Sequence, residues 1–263
     1  MSDLQKKNAG EVAAQHVEPG MVVGLGTGST AAWFVKALAA RNLPNLRCVP
    51  TSEKTADLAR ELGLTLSTLE DTPRIDLTVD GADEIGPGLA LIKGGGAALL
   101  REKLVWEASA RCIVIADAAK VVPVLGAFPL PIEVVAFGHK TTANRIADVL
   151  IDHDINQPAR VRQADRGLVR TDGGNLIYDA GCKAIHDPVR LADDLKLITG
   201  VVEHGLFLDL ADLAIIGATL ANGGLNPVTG EAALASDHVR ALWDFAQNLR
   251  EEREGDGEIT ELS

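Results

Sequence analysis

The sequence predicts an α/β protein: a mostly parallel sheet with helices on both faces, joined to a smaller α+β unit. Three observations carry this. Apolar runs such as Cys112–Ala116 (CIVIA) alternate with helical patterns through the first half. Strands apolar at every position belong to sheets covered on both faces, whereas half-exposed strands alternate. Near Phe128–Pro131 the texture changes to short strands separated by polar turns.

The elements follow in order. Lys6 and Lys7 lie in an N-terminal helical pattern. Met21–Leu25 is a short apolar strand, GTGST follows it, and Ala31–Ala40 is helical. Arg47–Val49 is a brief strand and Ser52–Leu62 a helix with Ser52 at its N-cap. Ile75–Val79 and Leu89–Ile92 are strands, Gly95–Ser109 a helix, and Cys112–Ala116 a strand. After FPLPIEVV, His139–Leu150 is helical, and Arg160–Arg162, Leu168–Arg170 and Leu176–Tyr178 are short strands. Pro188 opens a further helix at its first turn. Val201–Leu208 and Leu213–Ile216 are apolar again and read as returning to the first sheet, and Ala232–Arg250 reads as a helix. The domains expected are 1–130 with 200–250, and 131–199, followed by an acidic, disordered tail at 251–263.

With 263 residues and 46% hydrophobic content, the chain can bury a sizeable core. Its net charge of −12 argues against a nucleic-acid or anionic-membrane surface. The last 13 residues hold six acidic groups and one arginine, so much of that excess is local. No apolar run is long enough for a membrane span, and the N-terminus lacks a signal-peptide core. Cys48, Cys112 and Cys182 match no metal or redox spacing, which suggests reduced core thiols and a cytoplasmic home. The six histidines form no metal-ligand spacing either.

An acidic protein that binds an anion must supply positive charge locally, and two glycine-rich segments do so. Gly24–Thr30 (GLGTGST) joins a strand to a helix, where free N–H groups and the helix dipole favour a phosphate, aided by Ser29 and Thr30. The segment lacks the third glycine of a dinucleotide fingerprint and the Gly-Lys-Ser/Thr of a P-loop, so a small phosphate monoester fits better than a nucleotide. Lys93 precedes Gly94, Gly95 and Gly96, where a ligand can approach the backbone closely. Asp80 and Asp83 follow the strand Ile75–Val79, at the end where ligands bind in open α/β sheets. Glu84, one step on, reads as solvated. Glu102 has Ala98, Leu99, Val105 and Trp106 at helical spacing. A carboxylate on an apolar face has its pKa raised, which suits a general base near neutral pH.

Together GLGTGST at 24–30, VDGADE at 79–84, IKGGGAALLREK at 92–103 and IADAAK at 115–120 resemble the ribose-5-phosphate isomerase A family. The likeness continues through FPLPIEVV, TDGGNLIYD and GVVEHGLF and covers roughly residues 1–217. It implies a Rossmann-like domain with a smaller α+β, ferredoxin-like domain. It also implies isomerisation of a sugar phosphate with no cofactor and no metal, and a homodimer or homotetramer. By position Glu102 matches the proton-shuttling base. Thr27, Gly28, Ser29, Thr30, Asp80, Gly81, Ala82, Asp83, Lys93, Gly94, Gly95, Gly96 and Lys120 match the substrate-binding segments. Lys6, with Lys7 beside it, matches a lysine near the phosphate.

On this reading Asp80 or Asp83 opens the furanose ring, Glu102 moves a proton between C2 and C1, and Lys93 with nearby N–H groups stabilises the oxyanion. Two other classes compete: a non-catalytic sugar-phosphate sensor, and another enzyme of the fold group, such as an amino-sugar-phosphate deaminase or a CoA transferase. A sensor would not need Glu102, and no basic helix-turn-helix pattern precedes Gly24.

Overall fold

The computed structural model describes residues 2–165, 167–217 and 258–262. The first layer is built by α1 (Ser2–Gln15), β1 (Val22–Leu25), α2 (Ser29–Ala40), β2 (Arg47–Pro50), α3 (Glu53–Glu61) and β3 (Leu77–Gly81). Two short strands, β4 (Glu84–Ile85) and β5 (Leu91–Ile92), lead to α4 (Leu99–Glu107) and β6 (Cys112–Asp117). Then come β7 (Leu130–Val134), α5 (His139–Asp152), β8 (Arg160–Val161), β9 (Gln163–Ala164), β10 (Gly167–Leu168), β11 (Leu176–Ala180) and α6 (Pro188–Lys196). The chain continues as β12 (Val201–His204), β13 (Leu206–Phe207) and β14 (Leu213–Gly217), with β15 (Glu258–Leu262) beyond.

The main sheet runs β2-β1-β3-β6-β14-β15, all parallel. Its alternate residues enter different cores. Ile113, Ile115, Leu213 and Ile215 pack with Phe34 and Leu38 of α2. Cys112, Val114, Ala214 and Ile216 pack with Leu99 and Trp106 of α4. This two-sided burial explains the uninterrupted apolar strands. The connection after β1 leads to one side of it and the later strands add on the other. The switch point therefore lies between β1 and β3, where a crevice opens at the carboxyl ends.

The second sheet, β12-β7-β11-β8, is antiparallel. Its chain order, β7-α5-β8-β11-α6-β12, is the ferredoxin-like arrangement. Ile132 and Tyr178 pack beneath Ile146, Leu150, Leu191 and Leu195. A third small sheet, β13-β5-β4, lies in the segments connecting the two larger ones.

Several local expectations change. Val201–Leu208 does not return to the first sheet: β12 pairs with β7 and β13 with β5. An apolar run is equally suited to either sheet, and the sequence pattern does not name its partner. On this pairing we propose that the small domain extends from 131 to about 204, with the main domain resuming after it. The helix expected from Gly95 starts at Leu99, because Gly94 (φ 101°) and Ala97 (φ 58°) have left-handed backbone that an α-helix cannot include. Leu89 closes a short 3₁₀ turn, leaving β5 only two residues. Glu84 is buried, its carboxylate accepting the N–H groups of Gly126 (2.7 Å) and Phe128 (2.5 Å). In the tail expected to be disordered, Glu258–Leu262 form an edge strand parallel to β14, in keeping with the β-forming pair Ile259-Thr260. The helix expected at Ala232–Arg250 lies outside the described residues.

Candidate active site

Everything the sequence marked as chemical converges on the crevice between β1 and β3. Gly28 caps α2 with φ 117° and, having no side chain, leaves the helix N-terminus open. The helices α3 and α6, by contrast, are closed by the side chains of Ser52 and Asp187. The open end of α2 presents donors and a positive dipole to an anion. Just before it, the Thr27 hydroxyl is held by Thr51 (2.7 Å) and Ser52 (2.8 Å).

The α1 helix reaches the same end of the sheet. A Cβ on Gly217 would lie 1.9 Å from the Gln5 carbonyl, so glycine there lets α1 sit against β14. Lys6 consequently lines the cleft, while Lys7 pairs with Glu11 at 3.6 Å on an exposed surface. Lys120, after β6, lines the cleft too.

The cleft has a volume of about 140 Å³. It is lined by Lys6, Thr27, Gly28, Ser29, Thr30, Gly81, Ala82, Asp83, Lys93, Gly94, Gly95, Gly96, Glu102 and Lys120. Every expected residue is there except Asp80. Asp80 is 0% exposed and sits behind the wall. Its Oδ1 accepts the N–H groups of Thr27 (3.0 Å) and Gly81 (2.7 Å), and its Oδ2 lies 2.9 Å from Lys93 Nζ. Gly26 must be glycine for this to happen, since a Cβ would fall 2.1 Å from Asp80 Oδ1. Gly26→Ala is expected to cost about 1–3 kcal/mol of stability. Urea melts measure this, and an unchanged midpoint would mean that Asp80 is not tightly held.

Lys93 is the hub. Its ammonium is 2% exposed, donates to the Gly81 carbonyl (2.5 Å), and lies 3.6 Å from Glu102 Oε2. It sits over the rings of Trp106 (5.3 Å) and Phe207 (5.4 Å). Burial alone would lower its pKa, but Asp80 and Glu102 more than offset this, so its pKa is raised and it stays charged. Glu102 is 3% exposed, and burial pushes its pKa to about 8 against the opposing pull of Lys93. Asp80 is also raised by burial, with Lys93 and the two backbone donors opposing. Of the two carboxylates Asp80 has more partners: two backbone N–H groups on Oδ1, and Lys93 Nζ at 2.9 Å from Oδ2 against 3.6 Å from Glu102 Oε2. Fewer groups thus hold Glu102 in its ionised form than hold Asp80. Asp83 faces the cleft and is steadied by the Gly95 N–H at 2.7 Å.

Four further residues around the cleft had no local signal. Arg162, just after β8, reaches the glycine turn, and Asp179 on β11 holds its guanidinium. Lys103 is buried next to Glu102 and donates to Glu203 (2.8 Å) and to the carbonyls of His204 and Leu206. Gly205 accepts the Lys93 N–H at 2.9 Å, and any Cβ there would meet the Lys93 carbonyl. Among the described residues, no group of three or more His, Cys, Asp or Glu is placed to hold a metal ion.

A doubly wound sheet whose switch point carries an anion cradle and a buried carboxylate–ammonium–carboxylate row defines a class: an α/β enzyme that moves protons on a small anionic substrate. Comparison narrows it further. The family model for ribose 5-phosphate isomerase A (phosphoriboisomerase A) matches residues 47–220. The chain is 68% identical over 216 residues to the ribose-5-phosphate isomerase A of Caulobacter vibrioides, covering 82% of this chain and 95% of that one. It is 51% identical over 213 residues to the one from Agrobacterium fabrum, covering 80% and 92%. A D-ribose-5-phosphate isomerase in complex with phospho-erythronic acid superposes with a TM-score of 0.77 at 39% identity, covering 82% and 95%. The Methanocaldococcus jannaschii ribose 5-phosphate isomerase A gives 0.75 at 35% identity, covering 81% and 94%. This chain belongs to the ribose 5-phosphate isomerase A family.

Proposed function

We propose that the chain interconverts D-ribose 5-phosphate and D-ribulose 5-phosphate through an enediolate formed in this cleft. The family match supports the reaction. The observation that carries the site is the Glu102 carboxylate, buried, raised to about 8 and 3.6 Å from the Lys93 ammonium.

The phosphate takes the open N-terminus of α2, with Ser29, Thr30, Lys6 and Lys120 around it. Holding the phosphate orients the sugar at the other end of the cleft. Asp83, which faces the cleft, moves the proton from the anomeric hydroxyl to the ring oxygen and opens the furanose. Asp80, walled off, acts through Lys93 as its fixed counter-charge. Glu102 then removes the proton from C2, the C–H pair becomes the C1=C2 double bond, and the carbonyl pair moves onto O1. Lys93 and the glycine N–H groups stabilise that oxygen. The C2 hydroxyl proton passes to O1, the pair it leaves on O2 forms the C2=O bond, and the C1=C2 pair takes the proton back from Glu102 at C1. Atoms and electrons balance within the sugar.

Purified chain incubated with ribose 5-phosphate, with and without EDTA, is expected to form ribulose 5-phosphate. Absence of conversion overturns the reading. Thr30→Ala is expected to raise KM for ribose 5-phosphate more than it lowers kcat, and the opposite split would remove Thr30 from the phosphate cradle.

The partner is a small sugar phosphate, in keeping with a net charge of −12 that disfavours nucleic acid and anionic membranes. No helix among the described residues is long and apolar enough to cross a membrane. We further propose a cytoplasmic setting, supported by the three buried free cysteines. We also propose a homodimer or homotetramer, which the 94% exposed Phe137 and the 83% exposed Leu197 support as apolar surface available for burial.

A further inference from the structure

We infer that Arg162 is a positioning residue for the reaction: the small domain uses it to hold the Gly94–Gly96 turn so that the Gly95 N–H steadies Asp83 and the Gly96 N–H faces the developing oxyanion. The inference rests on the assignment of this cleft as the isomerase site.

The geometry is specific. One guanidinium nitrogen of Arg162, Nη1, donates to two successive carbonyls, Gly94 O (3.0 Å) and Gly95 O (3.0 Å). The other two nitrogens, Nε and Nη2, grip Asp179 at 2.8 Å and 2.5 Å. That bidentate pair fixes the plane of the fork. Asp179 is in turn held in the sheet, opposite Arg160 on one side and Pro131 on the other. The guanidinium is thus a rigid arm from the small domain onto the turn after β5.

What the arm does follows from peptide geometry. In a trans peptide the C=O and N–H point in opposite directions. Pinning the Gly94 carbonyl toward Arg162 turns the Gly95 N–H the other way, where it meets the cleft residue Asp83 at 2.7 Å. Pinning the Gly95 carbonyl likewise turns the Gly96 N–H away from Arg162, and Gly96 lines the cleft. The turn needs such a restraint. It holds three glycines, Gly94 has φ 101° and Ala97 φ 58°, and glycine has the greatest backbone freedom of any residue. An oriented Gly96 N–H, and an Asp83 carboxylate steadied by the Gly95 N–H, serve a transition state only if they are already in place. Arg162 is not among the residues lining the cleft.

The test compares Arg162→Met with wild type, using kcat, KM and the inhibition constant of phospho-erythronic acid. Its carboxylate presents planar anionic oxygens where the enediolate of the substrate would carry charge. Arg162→Met is expected to lower kcat by about 10²-fold, the usual effect of misplacing a catalytic group by 1 Å. The inhibitor should weaken by a similar factor, while KM for ribose 5-phosphate changes little. Asp179→Asn, which keeps the guanidinium and loosens it, should fall between. Arg170→Gln is the control: Arg170 is another small-domain arginine bonded to a carbonyl, that of Gly174 (2.8 Å), away from the turn. It should behave as wild type.

A folded Arg162→Met with wild-type kcat overturns the inference. So does one in which KM rises as steeply as kcat falls, since that places the guanidinium in ground-state binding. If Arg162→Met fails to fold, Asp179→Asn decides by the same split. Glu102→Gln, assayed alongside, separates the two claims. Full activity in that variant removes Glu102 as the base and with it the proposed mechanism, whereas an inactive Glu102→Gln with a fully active Arg162→Met removes Arg162 alone.

Discussion

Glu102→Gln is expected to lower kcat for ribose 5-phosphate by about 10²–10⁴-fold, the usual worth of a general base, with little change in KM. The amide keeps the shape of the side chain and abolishes its basicity. The wild-type pH profile should carry the same residue. A base works ionised, and burial holds Glu102 protonated up to about pH 8. The kcat/KM value should therefore rise with pH and level off above about 8, and the residual activity of Glu102→Gln should lack that rise. The shift also has a stability sign. Its folded pKa lies above the ordinary 4.5, so this group's contribution is fully present below about pH 4.5 and is lost as pH rises through about 8. Glutamine never ionises. Above about pH 8 the variant should melt no lower than wild type, because the charge removed there opposes folding. A turnover close to wild type would remove Glu102 as the base, and a much lower melting temperature at high pH would make the residue structural.

The second large effect is expected at Lys93. Lys93→Met keeps much of the side-chain volume between Trp106 and Phe207 but strips the counter-charge from Asp80 and Glu102, both buried. Removing one partner of a buried ionic group costs about 3–5 kcal/mol, since the remaining charge is left uncompensated. The loss should show as a lower urea midpoint, and it should be smaller in acid than near pH 8. Both carboxylates have raised pKa values with the lysine present, and without it they rise further, so acid neutralises what the mutation exposes. Turnover should fall by a further 10²–10³-fold or so, the effect of losing one oxyanion donor. Equal destabilisation at both pH values would show that the ammonium is not the partner of these carboxylates.

These two residues also mark how far the sequence could be read. Glu102 was legible because α-helical spacing places Ala98, Leu99, Val105 and Trp106 around it whatever the rest of the fold does. The cradle at Thr27–Thr30 and the glycines after Lys93 were legible because few residues besides glycine permit close backbone approach. Asp80 and Asp83 look alike in DGAD, three positions apart on one turn. Only in the fold does one face the cleft and the other lie fully buried behind it. The same limit separates Lys6, which lines the cleft, from its neighbour Lys7, paired on the surface.

Arg162 shows the limit most plainly. It sits in a polar stretch with several other arginines, and the carbonyl it holds is 68 residues away in sequence. Glu84 failed for a related reason. A glutamate on an acidic turn looks solvated unless Gly126 and Phe128 are known to bring their N–H groups to it. The run at Val201–Leu208 had the right texture for a strand and the wrong sheet, since apolar continuity reports burial and not the identity of the neighbour.

The sequence by itself determined the layered α/β class, the glycine-opened start of α2 and the carboxylate with an apolar face, because each rests on local spacing and backbone freedom. The tertiary structure decided which carboxylate faces the cleft, where the glycine turn points and what keeps Lys93 charged. Those properties depend on which groups lie across space from one another, and burial and charge act over a few ångströms regardless of separation along the chain.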